Sequence, residues 1–117
     1  KEINTHESIE TYRNEYENFE RKDILFIKNE YTGILDNVEK IDSIIDKFSI
    51  GWSVDRLSTV DKAILRIAVY EIMFDDDIPN KVSVNEAVEL AKEFSEDKAP
   101  SFINGVLGKV VRYKEAN

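Results

Sequence analysis

Cysteine is absent from this 117-residue chain, which excludes disulfides, thiolate metal ligation and thiol catalysis at once. Chain breakers are scarce, with two prolines and four glycines, and no segment shows the strict apolar alternation of a half-buried strand. The sequence therefore reads as helices throughout. No run approaches the 18 or so apolar residues of a membrane span, and no signal-peptide pattern is present, so a soluble, cytoplasmic protein is expected. The single histidine, His6, lies near the start with no acid or nucleophile patterned around it, and reads as an exposed side chain. Phosphate-binding glycine loops, the paired histidines of a zinc protease and the serine elbow of a hydrolase are all missing. Asp75, Asp76 and Asp77 lack the spaced ligands, glycine and distal glutamate of a calcium loop, and read as a solvated turn. No catalytic residue, metal site or cofactor is assigned; the chain is expected to bind rather than to catalyse.

What remains is a chain long enough for one domain with a core, 42% hydrophobic, carrying 16 basic against 24 acidic residues and a net charge of −8. An acidic total argues against a nucleic-acid partner. The charge is uneven, however. From Lys98 to Lys114 there are four basic residues (Lys98, Lys109, Arg112, Lys114) and no acidic ones, so the remaining residues carry −12. A local basic face on an acidic protein still binds a polyanion, while the acidic remainder rejects loose contact. The first residue is Lys1 rather than methionine, which leads to the expectation that an N-terminal piece is missing.

Ser8 to Glu20 places Ile9, Tyr12, Tyr16 and Phe19 on one helical face. Asp23 is a cap for a second helix, in which Ile24, Ile27, Tyr31, Ile34, Val38, Ile41, Ile45 and Phe48 recur at three- and four-residue steps. Gly33 inside it lowers helicity and permits close packing. Gly51 ends this part, and a short helical turn at Val54 to Leu57 follows. Ser58 and Asp61 form a capping box for a helix reaching Phe74. Apolar side chains cover nearly all of that helix's circumference except Lys62 and Arg66, the mark of a central, buried helix. Glu71 falls on the side of Val60, Ile64 and Ile67, which predicts a buried structural carboxylate. Ser83 and Glu86 form a second capping box opening a helix to Phe94. A polar loop, Ser95 to Ala99, leads to a last helix from about Pro100 to Tyr113.

On that last helix Ile103, Val106, Leu107 and Val110 form an arc that must face the core, while Lys98, Gly105, Lys109 and Arg112 form a separate one. Phe102 lies between them. Cations, an aromatic ring and a glycine that allows close approach suit single-stranded RNA, the ring stacking on a base. Equally, Phe102 anchors the helix start in the core and the lysines are merely solvated. Residue pattern leaves these two readings level.

A resemblance tips the balance. Trp52, the run Arg56 to Glu71 (RLSTVDKAILRIAVYE), Ile78 to Val82 (IPNKV), Asn85 to Phe94 (NEAVELAKEF) and Phe102 to Leu107 (FINGVL) together resemble the NusB family of bacterial transcription antitermination factors. The likeness implies an all-α fold of about six helices in two small subdomains, 1–50 and 52–114. It implies pairing with the ribosomal protein NusE to bind the boxA element of ribosomal RNA leaders, and indirectly association with other Nus factors and RNA polymerase. The RNA side maps to Lys98, Ser101, Phe102 and Asn104, beside the basic positions Lys109 and Arg112; the NusE side maps to Asp55 and Asp61. The family's arginine-rich first helix has no counterpart before Ser8, which predicts weaker RNA binding and homo-oligomers through uncovered apolar side chains. The alternative is the NusB-like accessory domain of an RNA cytosine methyltransferase; a third reading is a helical adaptor without RNA binding.

Overall fold

The computed structural model describes residues 30–51 and 53–117. The expected helix Ser8 to Glu20, the Asp23 cap, Ile24, Ile27, His6, Trp52 and the region before Ser8 lie outside them. Every regular element among the described residues is helical. The chain divides into units 1–32 and 33–117, and the second carries the architecture that follows.

Residues 33–36 continue a helical stretch that stops at Asn37, so the unbroken helix expected up to Phe48 is interrupted there. The cause is local. The Asn37 side-chain amide donates to the Gly33 carbonyl at 2.8 Å, and its backbone N–H divides between the Gly33 and Ile34 carbonyls at 3.2 Å each. Asparagine competes in this way with the helical ladder. A Cβ at Gly33 would collide with the Tyr70 ring, so the glycine does permit close packing. Helix α1 (Val38–Phe48) then buries Ile41, Ile44 and Ile45. Gly51, at a φ of 85°, takes the left-handed conformation that favours glycine, and a 3-10 turn at Val54–Arg56 follows.

Helix α2 (Thr59–Phe74) begins as its sequence dictates: Ser58 Oγ accepts from the Asp61 N–H at 3.1 Å. It packs against α1, α3 and α4, and buries Ile64, Leu65, Ala68, Val69 and Ile72. It is not buried all round. Val60 and Ile67 are each 39% exposed, and Glu71 beside them is half-buried rather than enclosed. Apolar composition around a helix does not say which flank its neighbours reach. At α2's middle, Arg66 makes a two-pronged ion pair with Asp42 of α1, at 2.8 and 2.7 Å. The hydrogen bond to that carboxylate raises the guanidinium pKa, helped by its charge and by that of Asp55.

Helix α3 (Asn80–Phe94) starts earlier than the expected capping box. Pro79, with φ fixed at −59°, stands at its cap, and its carbonyl accepts from Val82 and Ser83. Ser83 is consequently inside the helix, 1% exposed, with no hydrogen-bond partner for its hydroxyl. With Ala87 and Ala91 it forms a narrow buried stripe that lets α3 pack closely on α2 and α4. Replacing Ser83 by alanine is therefore expected to stabilise the fold by about 1 kcal/mol, since a buried unpaired hydroxyl is removed and no cap is lost. Denaturant midpoints check this: a capping role would instead lower stability by a similar amount. Helix α4 (Ala99–Ala116) completes the core with Ala99, Ile103, Val106, Leu107 and Val110. Among the described residues no helix is long and apolar enough to cross a membrane.

Candidate functional site

The expected inward arc of α4 is the buried one, which fixes what is left outside. Lys98, Ser101, Asn104, Gly105 and Arg112 are exposed, and Phe102 and Lys109 are half-buried. Phe102 packs against the core cluster, as the anchoring reading requires, and it also lines an open groove.

That groove, about 550 Å³, lies where the 3-10 turn and the start of α2 meet the start of α4. Arg56, Ser58 and Asp61 form one side; Glu96, Lys98 and Phe102 form the other. The folding logic is local on each side. The Ser58 cap sets the first turn of α2, and Asp61 in that turn accepts a 2.5 Å hydrogen bond from the Ser95 hydroxyl, at the end of α3. This bond ties the α3–α4 connection, and with it Lys98, to the start of α2. Helix α4 begins at Lys98 without a side-chain cap and without an acidic residue in its first turn. The Ala99 N–H donates to the Glu96 carbonyl, Pro100 has no N–H and Glu96 lines the groove, so what this end offers an anion is chiefly the Lys98 ammonium.

The candidates divide. Lys98, Phe102 and Asp61 come together on one groove, so a position implied to face the protein partner and two implied to face RNA share a surface. Asp55 sits exposed on the 3-10 turn that leads into it. Lys109 and Arg112 follow along the outer side of α4, beside Gly105 and Gly108; a Cβ at Gly105 would meet only open space. Asn104 is set apart, since two residues beyond Phe102 turns roughly 200° around the helix. Ser101 lies on the exposed first turn but does not line the groove.

Arg56 and Glu96 as groove residues were not assigned from the sequence. They stand about forty positions apart, and only the packing of α2 against α4 joins them. Two acidic and two basic side chains line the groove, so the unopposed positive charge is on the outer side of α4 rather than in the groove itself. No group of three or more metal-ligating side chains occurs among the described residues.

Comparison with known proteins gives the site its context. The model of the NusB family matches residues 1–112. Transcription antitermination protein NusB of Clostridium novyi is 47% identical over 114 residues, covering 94% of this chain and 86% of the relative. That of Clostridium perfringens is 44% identical over 115 residues, covering 95% and 85%. The solved structure of T. maritima NusB superposes with a TM-score of 0.78 at 35% identity, covering 82% of this chain and 68% of that one. The helical fold and these matches define the class: a transcription antitermination factor. The chain belongs to the NusB family.

Proposed function

We propose that this chain binds single-stranded, boxA-type RNA through the start and outer side of α4, with NusE as its protein partner. The carrying observation is the meeting of Lys98 and Phe102 with Asp61 on one groove at the uncapped start of α4. Lys98 meets a phosphate, Phe102 offers a ring to a base, and Lys109 and Arg112 follow the backbone away from the groove. Asp55 and Asp61 form the side that meets NusE, close enough to the RNA side for the two partners to be held together. Other Nus factors and RNA polymerase associate through this complex, which puts the protein in the cytoplasm with nascent RNA.

Anisotropy titration of a boxA-type RNA, with and without NusE, tests the reading. Phe102→Leu keeps apolar bulk under the helix start and removes the ring. It is expected to lower RNA affinity roughly five- to hundredfold, the value of one base–ring stack. Unchanged affinity with a lowered melting temperature would assign Phe102 to the core alone and leave the groove without its base.

A further inference from the structure

At its other end α4 meets α1 in a second groove, about 450 Å³, lined by Lys40, Ser43, Tyr113 and Lys114 among others. The Lys47 ammonium stands 4.4 Å from the centre of the Tyr113 ring and 5.6 Å from that of Phe48. The two rings lie 5.3 Å apart, tilted by 59°. Lys40 in turn sits 5.4 Å over Phe74.

Helix α1 sorts its charges by side. Lys40 and Lys47, seven residues apart, share the flank towards α4, whereas Glu39, Asp42 and Asp46 occupy another. Two of those acids are engaged elsewhere: Asp42 holds Arg66, and Asp46 accepts from the Val54 N–H. Neither lysine has a carboxylate partner among the described residues. They rest on rings instead, and no described carboxylate neutralises their charge.

This cluster is in line with the first groove. Lys98, Phe102, Lys109 and Tyr113 are spaced by four, seven and four residues, and therefore fall within roughly 60° of one another around α4. From Lys98 to Tyr113 the helix rises about 22 Å, the length of roughly six or seven stacked nucleotides at about 3.4 Å each.

We propose that Tyr113, with Lys40 and Lys47, is a second stacking platform for single-stranded RNA. A strand seated on Phe102 then runs along α4 and ends with a base on Tyr113 and phosphates on the two lysines. The inference rests on the RNA-binding reading above. The cation now over the Tyr113 ring marks the face a base would take. An exposed cation–ring contact is worth roughly two- to fivefold and a base–ring stack roughly five- to hundredfold, so a base displaces the ammonium, which turns to a phosphate. An acidic peptide would use the lysines and leave the ring without a role.

The test uses the full chain, a boxA-type RNA of about twelve nucleotides, and a fragment of about four, both within the range of known single-strand sites. Tyr113→Leu is expected to lower affinity for the long RNA roughly five- to hundredfold and leave the short one unchanged, whereas Phe102→Leu lowers both. On the unsubstituted protein, the long RNA alone should protect Lys40 and Lys47 from acetylation, a readout that does not depend on the variant folding. Wild-type affinity of Tyr113→Leu for the long RNA, with both lysines still acetylated, overturns the platform, while a Phe102→Leu loss in the same series keeps the RNA reading. Equal protection by polyglutamate overturns it in favour of an acidic protein partner. Binding of neither RNA by the unsubstituted chain, with NusE present, removes both readings together.

Discussion

Leu65→Ala should remove about 3–5 kcal/mol of unfolding free energy, measured by urea denaturation. Leu65 is fully buried on α2, and α2 is packed by α1, α3 and α4. Helices on several sides cannot all relax into the space left by a lost isobutyl group, so the cavity persists and the cost lies towards the upper end for such truncations. A small domain has only about 5–15 kcal/mol in total. The control is Ile67→Ala, two residues along the same helix, where 39% exposure limits the loss to about 1 kcal/mol. Equal losses at the two positions would contradict the placement of α2.

Those two residues also show what periodicity can and cannot reveal. The apolar character of Leu65 and Ile67 is equally visible in the sequence, but their burial is decided by which flank of α2 the neighbours cover. On helix α4 the apolar residues are confined to one arc and the charged residues to another, and Ile103, Val106, Leu107 and Val110 are all buried as expected. The two capping boxes make the same point with identical chemistry. At Ser58 nothing upstream competes, and the serine caps α2. At Ser83 the proline at position 79 starts the helix first, and the serine is carried into the core. A local signal is decisive only when no stronger neighbour overrides it.

The candidate site was legible in the same uneven way. Lys98, Phe102, Lys109 and Arg112 follow from spacing along one helix. Arg56, Asp61 and Glu96 join Lys98 and Phe102 only through the packing of α2 on α4 and the Ser95–Asp61 bond, neither of which has a sequence period. In the sequence Tyr113 marks only the end of a helix. Its neighbours Lys47 and Phe48 come from α1, more than sixty residues earlier, so their meeting belongs to the tertiary fold.

Reversing the charge of the outer side of α4, with Lys98→Glu, Lys109→Glu and Arg112→Glu together, should have the largest effect on RNA binding. Each phosphate neutralised on a single strand contributes about 0.7 to the slope of log K against log salt. Loss of three contacts therefore flattens that slope by about two units and, at low salt, lowers affinity by roughly a hundredfold or more as three carboxylates now repel the strand. Stability is the internal control. Lys98 and Arg112 are exposed and Lys109 half-buried, and none has an acidic partner among the described ion pairs. The triple variant should therefore melt within a few degrees of the unsubstituted chain: Lys98 holds the cap position of α4 but makes no side-chain cap bond, so none of the three changes removes a cap bond or an ion pair. The slope separates two causes that a single affinity cannot. A variant that binds weakly with an unchanged salt slope has lost shape at the groove, not phosphate contacts, and would move the RNA path off the outer side of α4. A flattened slope with Phe102 intact would instead divide the labour along the helix, with cations holding the backbone and the ring at the groove holding a base.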